Sequence, residues 1–168
     1  MNANQCRNAR APGVLFGVLL LTGCSSAVPS SSSSPVIVVL DSEVVSHQTP
    51  QSISFTVATR IRNTSRTRAL RRACGTRVER RDGTAWRSVF AELCAGSSGG
   101  MQGVIAPGDS TVEKVTVSGF TSSSSLPRFD FGDAIAGDYR LWLNLEEILS
   151  NGQPGRMQTL ASNAFRLR

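Results

Sequence analysis

At 168 residues and a net charge of +6, the chain holds one domain's worth of sequence once a leader is set aside, enough to bury a real hydrophobic core. The positive charge is almost all arginine, because Lys114 is the only lysine, and such a bias follows from GC-rich coding as readily as from a binding role. Of the four cysteines, Cys6 and Cys24 fall in the N-terminal leader region; Cys74, Cys94 and the single, distant His47 fall short of a tetrahedral metal set, and histidine-based acid–base chemistry would rest on His47 alone.

The N-terminal segment reads as an export signal. Arg7 and Arg10 precede an apolar run from Val14 to Leu21, and the small residues Thr22-Gly23 close it. The run is far short of the roughly 20 residues that a membrane-spanning helix needs. Pro12, Gly13 and Gly17 argue against a buried helix at the start of a globular domain. Leu21-Thr22-Gly23-Cys24 resembles the lipobox of bacterial lipoproteins. That resemblance implies a diacylglyceryl group on the Cys24 thiol, cleavage just before it, and fatty acyl chains such as palmitate on the mature N-terminus. Several chains on one residue suffice for stable anchoring. The alternative is ordinary secretion with cleavage after Ser25-Ser26-Ala27. Ser25 follows the cysteine where an aspartate would retain the protein, which implies delivery to the outer membrane. Residues 1–23 are thus expected to be a lipoprotein signal peptide, and 24–35 the lipidated cysteine with a solvated serine-rich linker. Residues 36–168 are the expected folded body.

Strand signals dominate that body. Val36–Val45 is a β-branched run expected to form the first strand. Gln51–Asn63 alternates, with Ile53, Phe55, Val57 and Ile61 on one face and Ser54, Thr56, Arg60 and Arg62 on the other. Asn63-Thr64-Ser65 reads as a turn. Asp82-Gly83 is a two-residue hairpin signal between Thr76–Arg81 and Thr84–Leu93. Pro107-Gly108-Asp109-Ser110 turns into a strand at Thr111–Val117, and Thr121–Asp133 reads as a loop. Tyr139, Leu141, Leu143 and Leu145 alternate with Arg140, Trp142 and Asn144 as another strand. Glu146–Leu149 could form at most one helical turn, and a last strand is expected over Met157–Leu167. Short strands between turn clusters predict an all-β, antiparallel β-sandwich. Its expected core includes Ile53, Phe55, Val57, Trp86, Phe90, Val115, Val117, Tyr139, Leu141 and Leu143.

Cys6 leaves with the leader and Cys24 is acylated, so Cys74 and Cys94 remain as a pair. In an oxidising compartment they form a disulfide, or else stay as two buried thiols. A regular hairpin about Asp82-Gly83 pairs Arg81 with Thr84 and sets Cys94 opposite Arg71. Three residues of offset is about 10 Å along a strand, beyond the roughly 7 Å limit between bridged Cα atoms. The bond therefore requires a broken ladder, and a bulge or strand switch is expected near Gly75.

Gly137-Asp138-Tyr139-Arg140-Leu141 resembles the segment of immunoglobulin-like domains that carries the tyrosine corner, whose hydroxyl bonds back to a nearby turn. Asn63, Cys74, the hairpin from Asp82-Gly83 to Trp86, Cys94 and Pro107-Gly108 precede it. In that order the set resembles a pattern in exported bacterial lipoproteins with an immunoglobulin-like β-sandwich domain. The resemblance covers most of residues 51–145. Leu141 stands where antibody-type domains place the second cysteine, so any Cys74–Cys94 link has a different topology from theirs. A fold is implied and no activity.

Nothing in the chain reads as a catalytic set. There is no nucleophile elbow and no phosphate-binding loop. Glu146 and Glu147 would point to opposite faces of a strand and read as a solvated pair. Asp130, Asp133 and Asp138 lack the ligand order of a calcium loop. Arginine is crowded instead: Arg60, Arg62, Arg77, Arg80, Arg81 and Arg87, with Arg66, Arg68, Arg71 and Arg72 among them. On adjacent strands the first six would give a candidate anion-binding face for lipid A, anionic headgroups or acidic polysaccharide. The plainer reading is a solvated face that keeps the sheet soluble. Nucleic acid is a poor candidate for an exported protein. Trp142 is either an exposed stacking residue or one covered by its surroundings. The expected function is a lipid-anchored cell-envelope binding or assembly module, non-enzymatic and without cofactor or metal. It would contact the membrane through its anchor, and an anionic lipid, polysaccharide or another envelope protein through its body. A carbohydrate-binding module would show Trp142 on a flat or concave surface. An envelope enzyme or its regulator would show a cleft with perturbed carboxylates.

Overall fold

Burial alternates with period two along Ser52–Arg62, Ser110–Phe120 and Gly137–Ile148, and it decides which side chains meet. In the computed structural model, residues 34–94, 103–121, 126–131 and 134–168 are described. They belong to one compact unit, Ser32–Arg168. The expected signal peptide, Cys24 and most of the linker lie outside them. The described residues form ten strands and no helix: β1 (Val36–Val39), β2 (Glu43–Val44), β3 (His47–Gln48), β4 (Ser52–Arg62), β5 (Ala69–Asp82), β6 (Ala85–Ala91), β7 (Ser110–Phe120), β8 (Gly137–Ile148), β9 (Pro154–Ala161) and β10 (Phe165–Leu167).

Two sheets result. In the first, β4 is central, with β7 along one edge and β1 and β3 sharing the other. In the second, β6, β5 and β8 are neighbours, and β9 and β10 share the far edge of β8. β2 adds to β10 in the parallel sense, while the other pairings between these strands are antiparallel. The inward residues of both sheets join one hydrophobic core, from Ile53, Phe55 and Val57 on β4 to Tyr139, Leu141, Leu143 and Leu145 on β8. Burying each such side chain contributes about 1.5–3 kcal/mol.

The expected first strand is split. Val39 ends β1, and its N–H and C=O are both taken by the Asn163 side chain, at 2.6 and 3.2 Å. Asp41 Oδ2 accepts the Ala58 N–H at 2.8 Å. With its backbone partners supplied by side chains, the chain leaves the first sheet and re-enters the second as β2. Asn163 lies between β9 and β10, so the expected last strand is broken there too. Glu146–Leu149 is not a helical turn, because β8 continues to Ile148.

The hairpin turns one residue later than expected. Asp82 pairs with Ala85, and Gly83 takes the left-handed φ of 59°. That displaces every pairing by two residues. A bulge opposite Val78/Glu79 adds a third, leaving Val89 and Phe90 both buried. Cys74 and Cys94 are thereby brought level, with Cα atoms 5.9 Å apart and sulfurs bonded at 2.08 Å. The break expected near Gly75 is also present, on the other side of β5. Its register against β8 shifts between Ala73 and Arg77, and Gly75 has φ 109°. Glu92 accepts the Gly75 and Thr76 N–H groups, and the Asn144 amide donates to the Cys74 carbonyl at 2.9 Å. These contacts replace the missing ladder bonds.

The expected loop over 121–133 contributes to the core. Phe129 and Phe131 are buried, and Phe129 stacks between Phe90 and Phe131 with ring centroids 4.5 and 4.7 Å away. Trp86, expected in the core, lies only half-buried on the outer face of the second sheet. It shares parity with Ser88, and a guanidinium lies over its ring. The remaining expected core residues are buried. Tyr139 is fully buried, and its hydroxyl donates to the Ile135 carbonyl just upstream. Burial pushes the phenol up to about 12, against opposing pulls from Arg80 and Arg87.

Candidate functional site

The six arginines expected on one positive face are distributed over three environments. Arg60 and Arg62 project outward from β4 in the first sheet. Arg77 and Arg81 lie on the outer face of the second sheet. Arg80 and Arg87 are cross-strand partners turned toward Tyr139. Arg80 donates to the Phe131 and Ala136 carbonyls, and Arg87 pairs with Asp130 at 3.2 Å. Parity explains the separation: one-residue steps along β5 and β6 alternate between core and solvent.

On the second sheet, cations and aromatic rings interleave. The Arg140 guanidinium lies over Trp86 at 4.5 Å and over Trp142 at 5.1 Å, and Arg77 covers Trp142 at 4.7 Å. Glu79, at the centre, binds Arg140 at 2.6 Å and Arg77 at 3.4 Å. Burial raises the Glu79 carboxyl. The Trp142 indole, Arg140 and Arg77 together outweigh it and hold the group below its ordinary 4.5. The indole N–H leans on this charge without completing a hydrogen bond of good geometry. Trp142 is therefore half-buried under guanidinium groups, not presented to solvent as a flat stacking surface.

Neighbouring charges are also paired. Glu146 and Glu147 do point to opposite faces, but they are not a solvated pair. Glu146 binds Arg71 and Glu147 binds Arg68, each at 2.6 Å. Arg72 reaches across to Glu113 of the first sheet at 3.1 Å. Glu92 is the other carboxyl held low: burial opposes this, and the Thr76 and Gly75 N–H groups and Arg72 prevail. Both lowered carboxylates are committed to structural partners. His47 is exposed on β3. Asp130 is engaged with Arg87, and Asp133 lies outside the described residues. Among the described residues no three of His, Cys, Asp and Glu group as a metal site.

The outer face of the first sheet has a different character, which the sequence reading missed. Across one rung stand Val38, Arg60 and Val112; across the next, Val36, Arg62 and Ser110. Leu40 bonds beside Ala58, which pairs with Lys114. Val36, Val38, Leu40 and Val112 are 46%, 37%, 41% and 54% exposed. Among the described residues, no carboxylate of β1, β4 or β7 points outward on this face, and none pairs with Arg60, Arg62 or Lys114. The nearby Asp41 is turned onto the Ala58 N–H. Asp109 lies beyond the end of β7. The signal was present in the alternation of Gln51–Asn63 and Thr111–Val117, but only the pairing of β1, β4 and β7 sets these residues side by side.

No protein-family model matches the chain, and no curated protein sequence matches it. Among solved structures, a Bordetella pertussis protein designated ApaA matches with 16% identity over 80% of this chain and 92% of its own, at a TM-score of 0.41. A second structural-genomics target matches with 12% identity over 80% and 83%, at 0.40. The CooA pilin subunit of enterotoxigenic Escherichia coli matches with 10% identity over 80% and 97%, at 0.24.

Proposed function

We propose that this protein is a lipid-anchored binding or assembly module of the bacterial cell envelope, an immunoglobulin-like β-sandwich tethered through Cys24. One observation carries the reading. Leu21-Thr22-Gly23-Cys24 stands a short serine-rich distance ahead of a body whose first strand begins at Val36. The strand order favours the immunoglobulin-like description. β1, β4 and β7 group as strands A, B and E do, and β5, β6, β8 and β9–β10 as C, C′, F and G. The contact from the Tyr139 hydroxyl to Ile135 is that of a tyrosine corner. Glu79 and Glu92, the carboxyls held low, are each engaged with structural partners, so neither recommends the rival reading of an envelope enzyme. Guanidinium cover over Trp142 weighs against a carbohydrate-stacking role.

Expression of the full chain in a bacterium tests the anchor. Mass spectrometry should find a mature N-terminus at Cys24 bearing a diacylglyceryl group and fatty acid. Cys24→Ser should abolish partition into the detergent phase. A mature chain that begins after Ala27 and carries no fatty acid would refute the anchor.

A further inference from the structure

We propose that the outer face of the first sheet docks directly on an anionic bilayer, with Arg60, Arg62 and Lys114 on lipid phosphates and Val36, Val38, Leu40 and Val112 between the headgroups. This deepens the envelope reading by naming what the body touches, yet the contact needs no acyl chain. Three features of the face converge. Its charge is single-signed, whereas Arg68, Arg71, Arg77, Arg87 and Arg140 each meet a carboxylate. Among the described residues, five of the eleven exposed large hydrophobic side chains lie on it, Val36, Val38, Leu40 and Val112 beside the cations and Phe120 at the far end of β7. Finally, β1 belongs to this face, and the chain just before it is the serine-rich linker. The eleven residues 25–35 extend to at most about 40 Å, so an acylated Cys24 would hold the face at high effective concentration above the bilayer.

The mixture of side chains selects the occupant. A soluble polyanion would satisfy the guanidinium groups and leave the valines in water. A second copy of the chain would stack cations on cations. A bilayer interface takes both, with apolar side chains entering the boundary and cations remaining at the phosphates.

Every described core residue and the disulfide lie within Ser32–Arg168. The test protein is therefore the chain from Ser25 to Arg168, without leader or acylated cysteine. Sedimentation is measured with vesicles of phosphatidylcholine alone and of equal parts phosphatidylcholine and phosphatidylglycerol. Binding is expected only to the anionic vesicles, weakening with salt. Each of Arg60→Gln, Arg62→Gln and Lys114→Gln should weaken it about fivefold, and the triple variant about a hundredfold. Val38→Ser with Val112→Ser should weaken vesicle binding and leave binding to dextran sulfate unchanged. Arg156→Gln, on exposed β9, should change nothing, and all variants should melt with the parent. The proposal is overturned by absence of binding to anionic vesicles, by parental binding of the triple variant, or by indifference of the double valine variant. Loss of acylation at Cys24 would leave these results untouched, so the two readings fail separately.

Discussion

Tyr139 and Glu79 show how single polar groups are accommodated in this sheet pair. Tyr139 lies wholly inside the core, and its hydroxyl has one acceptor, the Ile135 carbonyl. Removing the hydroxyl strands that carbonyl, at a cost of about 1–3 kcal/mol. Tyr139→Phe should therefore melt several degrees below the parent, and an unchanged melting temperature would remove the corner from the account. Glu79 acts through charge. Its carboxyl is lower in the folded chain than its ordinary 4.5, so its contribution is fully present above that value and is lost as pH falls through the folded-state value. Urea midpoints followed from neutral pH to about pH 3 should drop for the parent, and less steeply for Glu79→Gln. Parallel curves would show that the Arg140 and Arg77 contacts carry no stability. The pairing of Arg with Trp was not legible in the sequence, because Trp86, Arg140, Trp142 and Arg77 are neighbours only across strands.

At the level of elements, the β5–β6 hairpin carries the clearest lesson. Spacing alone said that Cys74 and Cys94 could not bond across a regular ladder, and that reasoning held. The ladder is irregular by three residues, two from the turn at Gly83 and one from the bulge at Val89. Gly75 breaks the register toward β8, and an added Cβ there would stand 2.4 Å from the Asn144 amide nitrogen. Glycine is required by both the φ and the space. The bridge closes a loop of 20 residues, which corresponds to about 3 kcal/mol in the chain-entropy account. Cys74→Ser with Cys94→Ser should lower the unfolding free energy by about that amount, and dithiothreitol should do the same to the parent. Equal urea midpoints under oxidising and reducing conditions would contradict the bridge.

At the scale of the molecule, the alternating patterns of residues 51–63, 111–117 and 139–145 determined three of the long strands and eight of the ten expected core residues. The fold class followed from them, because period two can be satisfied only by sheets that share a core. Trp86 was misplaced, since an aromatic ring serves equally well against apolar neighbours or a guanidinium. Phe129 and Phe131 were missed because serine and proline around them mark a loop, while the hint, their own spacing of two, is too short to weigh. The breaks at Leu40–Ser42 and Ser162–Ala164 were invisible for a further reason: they depend on one another, through Asn163 and Val39. By itself, then, the sequence determined which residues face inward and that the body is built of strands, since both are local and periodic. Only the tertiary structure decided which outward residues stand together. It divided one run of arginines into a neutralised stack on one sheet and an unpaired, apolar-edged face on the other, because cross-strand neighbours are set by register, and register is a property of pairs of strands.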